Sequence, residues 1–174
     1  MSRVNEFISQ QSLADRISAL GAEIRRDAGC DMPIHLVCVL KGAFMFLADL
    51  IRVVGGRVTC DFIVVKSYAG ISSTGQVQML KDLGHPIDGR YVVIIEDIVD
   101  TGLTLAHLQD VFKTRKPATL KTACLLSKPS RRKVDVPVDY VGFTIEDKFV
   151  VGYGLDFDEE FRNLPYIGVV EGAD

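Results

Sequence analysis

Unbroken apolar segments of strand length, separated by helix-like segments, are the feature that most restricts how this chain can fold. The first is IHLVCVL at residues 34–40; residues 91–95 form a similar run, and residues 58–66 and 120–126 are largely apolar. A continuously apolar strand must be buried on both faces, which is typical of parallel sheets covered by helices. The sequence therefore predicts an α/β protein with a mostly parallel, twisted sheet flanked by helices.

The remaining elements follow from periodicity and from capping residues. One predicted helix begins at a capping box formed by Ser12 and Asp15 and ends at Gly29. Further helices are predicted at residues 43–54 and 103–114, and further strands at residues 138–145, 150–151 and 167–170. No repeat or Pro/Gly/Ser-rich linker divides the chain, so residues 1–174 are predicted to form a single domain.

Composition excludes several classes of partner. The formal net charge is −3 and the pI about 5.6, which argues against a nucleic-acid-binding protein. The N-terminus lacks the apolar core of a signal peptide, and the apolar runs are too short to cross a bilayer. We therefore expect a soluble, cytoplasmic protein with no membrane partner. Cys38, Cys60 and Cys124 lie inside apolar runs, so the cysteines are interpreted as small buried side chains rather than disulfides or metal ligands.

The segment VVIIEDIVDTGLTL, at residues 92–105, places polar groups directly after an apolar strand. The hydroxyls of Thr101 and Thr104 and the free N–H groups of the following helix would form an anion cradle, and Gly102 allows close backbone approach. Glu96 and Asp97 would repel an anion, but they suit sugar hydroxyls or a divalent cation. Because adjacent strand residues face opposite sides, these two acids can share a ligand only if the backbone leaves the strand there.

An ordinary structural explanation of the same segment has equal weight from chemistry alone. Asp100 or Thr101 would then be a helix N-cap, and the acids would be solvated in a turn.

VVIIEDIVDTGLTL resembles the phosphoribosyl pyrophosphate (PRPP) signature of the type I phosphoribosyltransferases. The segments LKGAFMF, KSYAG, LLSKPSRR and DYVGFTIEDKFVVGYGLDFDEEFRNLP resemble, in the same order, those of the hypoxanthine-guanine phosphoribosyltransferase family. The resemblance covers residues 34–170. It implies the type I phosphoribosyltransferase fold with a small hood formed by the terminal segments, and transfer of phosphoribose from PRPP to a purine base.

The resemblance also implies roles within the signature. Glu96 and Asp97 would meet the ribose hydroxyls and Mg²⁺, the expected cofactor, and Asp100 would be the general base at purine N7. The 5'-phosphate would be bound by Asp100, Thr101, Gly102, Leu103 and Thr104. Many relatives have Lys at the position of Leu103, so a side-chain contribution to phosphate binding is in doubt there.

Other roles are implied outside the signature. Lys128 would donate to the purine 6-oxo group, Phe149 would stack on the base, and backbone groups of Val150 would contact its edge. From the residues alone, Lys128 would be a solvated loop lysine and Phe149 a core aromatic. The basic neighbours Arg131, Arg132 and Lys133 are interpreted as surface residues.

The remaining implied contacts concern pyrophosphate, metal and a lid. Leu40, Lys41 and Gly42 would form a pyrophosphate loop, whose Leu-Lys peptide is often cis in this family; Asp156 would contact Mg²⁺ and Arg162 the pyrophosphate. Ser67 and Tyr68 would begin a mobile lid at residues 67–75 that excludes water. Without the resemblance, the first segment would be a simple turn and the segment around Asp156 and Arg162 a solvated helical turn.

Three rival functions share parts of these patterns. A phosphoribosyltransferase for xanthine or adenine would differ only around Lys128 and Val150, and a PRPP-sensing RNA-binding regulator would share the signature loop. A PRPP synthetase is typically a much longer chain. The expected partners are thus small molecules, PRPP and a purine base, and a homo-dimer or homo-tetramer is expected from the family resemblance.

Overall fold

The computed structural model describes residues 3–67 and 77–171 of the chain. In order along the chain, the helices and strands are β1 (Val4–Ile8), α1 (Gln10–Ala28), β2 (Ile34–Leu40), α2 (Phe44–Val54), β3 (Val58–Ser67), β4 (Val77–Lys81), β5 (Tyr91–Val99), α3 (Leu103–Lys113), β6 (Thr119–Ser127), β7 (Tyr140–Thr144), β8 (Val150–Val151) and β9 (Ile167–Val170). A short 3₁₀ turn at Pro129–Arg131 follows β6.

The central sheet has six strands in the order β4-β3-β2-β5-β6-β7. Strands β3, β2, β5, β6 and β7 are parallel, and β4 pairs antiparallel with β3 at one edge. This arrangement confirms the predicted mostly parallel α/β architecture. A second, three-stranded antiparallel sheet, β1-β9-β8, joins the two terminal parts of the chain and forms the small hood.

Alternate residues of the central strands face two separate hydrophobic cores. Val93 and Ile95 of β5 pack on the side of α1 and α2, whereas Val92 and Ile94 pack on the side of α3. All four side chains are fully buried. Burial on both faces explains why β5 is an uninterrupted apolar run, as expected for a parallel sheet covered by helices.

Several element boundaries differ from the sequence-based predictions. Helix α1 is capped by Ser9, whose Oγ accepts from the Ser12 N–H at 3.1 Å, so the helix starts before the predicted capping box. Gly29 ends it, as predicted. Strand β1 was not predicted, because an edge strand with four incompletely buried residues has no continuous apolar run.

The cysteine interpretation is partly confirmed. Cys38 and Cys124 are buried as predicted, and burial raises the pKa of each thiol to about 12. Cys60 was also predicted to be buried, and this prediction is wrong: its side chain is exposed. It lies in β3, next to the antiparallel edge strand β4, where one face of the sheet is less fully covered.

Candidate active site

The candidate site residues lie at the carboxyl ends of three neighbouring parallel strands. Leu40 ends β2 and Lys41 follows it, Asp100 follows β5, and Lys128 follows β6. Because β2, β5 and β6 are adjacent and parallel, these segments meet at one edge of the sheet. Ligands of open α/β sheets bind at this edge.

A small cavity lies at the end of β5, where the anion cradle is predicted. A cavity of about 90 Å³ is lined by Glu96, Ile98, Val99, Asp100, Thr101, Gly102, Thr104 and Leu105. Gly102 occupies the N-cap position of α3 with φ of 83°, and no side chain caps this helix. The N-cap is therefore Gly102 rather than Asp100 or Thr101, although Thr101 Oγ1 accepts from the N–H of Leu103 at 3.4 Å. The other first N–H groups of α3 lie at the cavity end of the helix.

Strand β5 continues beyond the predicted end at residue 95. Glu96 pairs with Cys124 and Ile98 with Leu126, so the backbone stays in the sheet as far as Val99. Glu96 lines the cavity beside α3, whereas Asp97 packs against Gly42 on the other face. The two acids could share one ligand only if the backbone left the strand at this point. The backbone stays in the strand, so they face opposite sides of the sheet.

Both acids have raised pKa values because the strand holds them in a buried setting. Burial raises the pKa of Glu96 well above its ordinary value, and the neighbouring Asp97 acts in the same direction. Burial raises the pKa of Asp97 from 3.8 to about 6, although the N–H of Ile98 donates to its Oδ1 at 2.6 Å. Neutralising these carboxylates, by a proton or a cation, is therefore favourable.

Glycines allow two loops to pack closely beside Asp97. A Cβ on Gly42 would lie 1.4 Å from Asp97 Oδ2, and a Cβ on Gly154 would lie 2.2 Å from the carbonyl oxygen of Gly42. Gly154 also has φ of 100°, a conformation that L side chains rarely adopt. The peptide bond between Leu40 and Lys41 is cis. The predicted pyrophosphate loop thus lies directly against the acidic end of β5.

A cluster of alternating charges joins this loop to the segment after β8. Arg162 Nη2 lies 2.9 Å from Asp156 Oδ1, and its Nη1 donates to the carbonyl oxygen of Gly154 at 2.8 Å. Glu159 bridges two cations, with Oε2 at 2.9 Å from Lys41 Nζ and Oε1 at 3.4 Å from Arg162 Nη2. The predicted residues Lys41, Asp156 and Arg162 are therefore brought together.

Lys128 is not a solvated loop lysine, since it is only 7% exposed. Its Nζ lies 3.3 Å from Asp147 Oδ1. Phe149, two residues further along, is 41% exposed and is contacted edge-on by Phe157 at 5.4 Å between ring centroids. Val150 is buried in β8. Phe149 is therefore not the core aromatic that the residues alone favoured.

The interpretation of Arg132 as a surface residue is wrong. Its guanidinium donates to the carbonyl oxygens of Val99 and Asp100, and through Nη2 to Ser127 Oγ at 2.9 Å. These bonds connect the end of β6 to the loop after β5. Arg131 is half-exposed, but it pairs with Asp100, with Nε 3.2 Å from Oδ1. Lys133 is exposed, as predicted.

Comparison with known proteins identifies the family. A family model for the phosphoribosyl transferase domain matches residues 4–158. The hypoxanthine-guanine phosphoribosyltransferase of Bacillus subtilis is 46% identical over 168 residues, which cover 96% of this chain and 93% of that protein. The hypoxanthine phosphoribosyltransferase of Escherichia coli is 46% identical over 171 residues, which cover 96% of this chain and 95% of that protein.

A solved structure agrees with these similarities. A crystal structure of a hypoxanthine-guanine phosphoribosyltransferase from Bacillus anthracis has a TM-score of 0.91 and 47% sequence identity, covering 95% of this chain and 98% of that chain. The chain belongs to the hypoxanthine-guanine phosphoribosyltransferase family.

Membership in this family makes the chain a phosphoribosyltransferase, an enzyme with the mixed α/β fold described above. The predicted lid lies almost entirely outside the described residues. Ser67 ends β3, but its side chain, Tyr68 and residues 69–75 lie outside the described residues. Within residues 3–67 and 77–171, no helix is long and apolar enough to cross a membrane.

Four residues of this phosphoribosyltransferase site were missed or misjudged from sequence: Arg131, Arg132, Asp147 and Glu159. Each contacts a predicted site residue or its backbone through tertiary structure. The one signal that could have indicated them is their position, within a few residues of Lys128, Phe149 or Arg162.

The raised pKa of Asp97 predicts that this site destabilises the fold at neutral pH. The folded pKa of about 6 exceeds the ordinary 3.8, so ionisation is less favourable in the folded chain than in the unfolded chain. This cost is absent below about pH 4 and complete above the folded pKa. We expect Asp97→Asn to raise the melting temperature at about pH 8, measured in EDTA, and this gain to shrink as the pH falls from about 6 toward about 4.

Asp88→Asn is the matched control for this measurement, because Asp88 is an exposed carboxylate in a turn. It should leave the melting temperature nearly unchanged at both pH values. An equal gain for Asp97→Asn at both pH values would show that packing, rather than charge, causes the effect.

Proposed function

We propose that this enzyme transfers the 5-phosphoribosyl group of PRPP to N9 of hypoxanthine, guanine or both, releasing pyrophosphate and forming the nucleoside 5'-monophosphate. The observation that carries the proposal is the buried ammonium of Lys128, which lies one strand away from the anion cradle at residues 100–104. The relatives named above for hypoxanthine and guanine support the same substrates.

Lys128 supplies a physical basis for base selection. An ammonium group can only donate hydrogen bonds, so it matches a 6-oxo group and not the 6-amino group of adenine. Lys128 is buried at the end of β6, so a base that cannot accept from it would leave its remaining N–H donors without an acceptor. Sites of this kind discriminate by orders of magnitude in rate. The exposed face of Phe149 would stack on the base.

PRPP would be held by three groups of residues. The 5'-phosphate would accept from the backbone N–H groups and hydroxyls of residues 100–104 at the start of α3. The pyrophosphate would bind Lys41 and Arg162. Arg162 supports this placement, because its Nε is buried and no described residue accepts from it. Glu96, on the cradle side of β5, would meet a ribose hydroxyl.

The acidic groups fit a magnesium ion that arrives with PRPP. Asp97 has a pKa raised by burial, and the charge of Asp156 raises it further, so a divalent cation near both would relieve an unfavourable arrangement. The described residues include no cluster of three potential metal ligands. Substrate oxygens would therefore complete the shell, as is usual for Mg²⁺. When bound, the ion would neutralise charge that develops on the departing pyrophosphate.

Asp100 is proposed as the general base that accepts the purine N7 proton. It follows β5 at the mouth of the cradle, between the phosphate loop and Lys128. Arg131 engages its Oδ1, so Oδ2 can accept the proton as N9 attacks C1'. Closure of the predicted lid, beginning at Ser67 and Tyr68, would exclude water from C1' while the bond to pyrophosphate breaks.

PRPP-dependent turnover with each of the four bases hypoxanthine, guanine, xanthine and adenine tests the proposal. We expect Mg²⁺-dependent product with hypoxanthine, guanine or both, and none with adenine. Product with adenine alone would refute the proposed base selection. The turnover rate with xanthine shows whether the contacts around Val150 also accept this third 6-oxopurine.

Asp100→Asn tests the proposed base with the shape of the site retained. General-base catalysis contributes roughly 10²- to 10⁴-fold, so we expect kcat to fall by that order while the KM for PRPP changes little. Near-normal kcat in this variant would contradict the assignment of Asp100.

Glu159→Gln tests whether pyrophosphate competes with a side chain for the same cations. The Glu159 carboxylate pairs with Lys41 and Arg162 at 2.9 and 3.4 Å, so the anion must replace it. Ion pairs this exposed are weak, so we expect only about two- to five-fold tighter binding of magnesium pyrophosphate in calorimetry. Glu160→Gln, the exposed neighbour, is the matched control and should bind like the unchanged chain. Weaker binding by Glu159→Gln would instead show that Glu159 orients the cations.

A further inference from the structure

Four side chains of alternating charge form a continuous chain across the proposed purine site. Lys128 Nζ lies 3.3 Å from Asp147 Oδ1, and Asp147 Oδ2 lies 3.5 Å from Arg131 Nη1. Arg131 Nε in turn lies 3.2 Å from Asp100 Oδ1. The two ends, Lys128 and Asp100, are the groups proposed to contact O6 and N7 of the base.

We propose that Arg131 and Asp147 are positioning residues. They hold Lys128 and Asp100 at the separation between O6, the acceptor, and N7–H, the donor, of a 6-oxopurine. This inference rests on the proposed function, since it assigns positioning roles to two residues beside the same purine substrate. Neither residue touches the base; each acts through the side chain that it contacts.

Asp147 determines where the Lys128 ammonium lies. A flexible lysine carries several rotatable bonds, and a buried ammonium is costly without a compensating charge. Asp147 provides that charge from the loop between β7 and β8. The bond uses one of the three N–H donors of Lys128, so two remain for the 6-oxo oxygen and other acceptors.

Arg131 connects this pair to Asp100 because its guanidinium is a planar fork. Nε and Nη1 are fixed in one rigid plane and engage two different carboxylates, Asp100 and Asp147. A lysine at this position would supply a single point charge without that fixed geometry. The short 3₁₀ turn at Pro129–Arg131 begins directly after Lys128, so the fork and the lysine are held by the same backbone segment.

The contacts are compatible with a bound purine. Asp100 keeps Oδ2, and Lys128 keeps two N–H groups, while the chain of ion pairs stays closed. Preorganised groups lower the cost of reaching the reactive geometry, and a displacement of about 1 Å can reduce rates by about 100-fold. Loss of either positioning residue should therefore impair binding and reaction of the purine, but not the binding of PRPP.

Steady-state kinetics with hypoxanthine and PRPP varied separately tests this proposal on the full-length chain. Arg131→Ala and Asp147→Ala are each expected to reduce kcat/KM for hypoxanthine by about 10- to 100-fold. The KM for PRPP should stay within about two-fold, because the phosphate contacts are unchanged. The double variant should be no worse than the more impaired single variant, since the residues act as one unit.

Two further variants separate positioning from general charge or stability effects. Arg131→Lys retains the charge but not the fork, so it should remain impaired. Lys133→Ala removes an exposed cation two residues away and should behave like the unchanged enzyme. Melting temperatures identify any variant that fails to fold, in which case the other single variant still tests the proposal.

Several outcomes would overturn the inference. Unchanged kcat/KM for hypoxanthine in both single variants, parallel increases of both KM values, or multiplicative losses in the double variant would each do so. Restoration of full activity by Arg131→Lys would reduce the role of Arg131 to charge alone and refute the fork. An unchanged enzyme that is inactive with every 6-oxopurine would instead refute the proposed function, and this inference with it.

Discussion

Parallel pairing of β2, β5 and β6 in the centre of the sheet is the constraint on which the other features depend, because it sends three carboxyl ends to one edge. Helices cover both faces of these strands, so polar groups can leave the core only at the strand ends. The loop with the cis peptide, the anion cradle and Lys128 all occupy that edge. The antiparallel hood sheet then brings Val150 to the same edge.

The same burial that stabilises β5 makes its end unfavourable for charge. Glu96 and Asp97 remain in the strand, and both have raised pKa values as a result. Under the proposed function, the acids that lower the stability of the fold are the ones that would bind sugar hydroxyls and a cation. Gly42 and Gly154 are essential to the arrangement, since side chains there would collide with Asp97 or with the loop backbone.

Cations of the candidate site are paired with acidic side chains. Lys41 and Arg162 contact Glu159, while Lys128 and Arg131 contact Asp147. The two clusters differ in exposure, because Lys41 is mostly exposed whereas Lys128 is buried. Exposed pairs exchange easily for a phosphate anion, and buried pairs hold a geometry. The proposed pyrophosphate and purine ends of the site thus use the same pairing of charges in different ways.

The sequence was sufficient for the α/β class, for the polar loop after β5 and for the family, because continuous apolar runs and a polar loop are local signals. It was insufficient for β1, whose partner β9 lies about 160 residues away, and for the length of β5, whose last residues are held by β6. Arg132 and Asp147 were likewise invisible as site residues, because their contacts join separate loops. The periodicity of apolar residues indicates which face of a segment is buried. Contacts between side chains that are distant in sequence depend instead on how the sheet brings the loops together. That is why the tertiary structure alone shows Glu96 and Asp97 on opposite faces of one strand and Arg131 between two carboxylates.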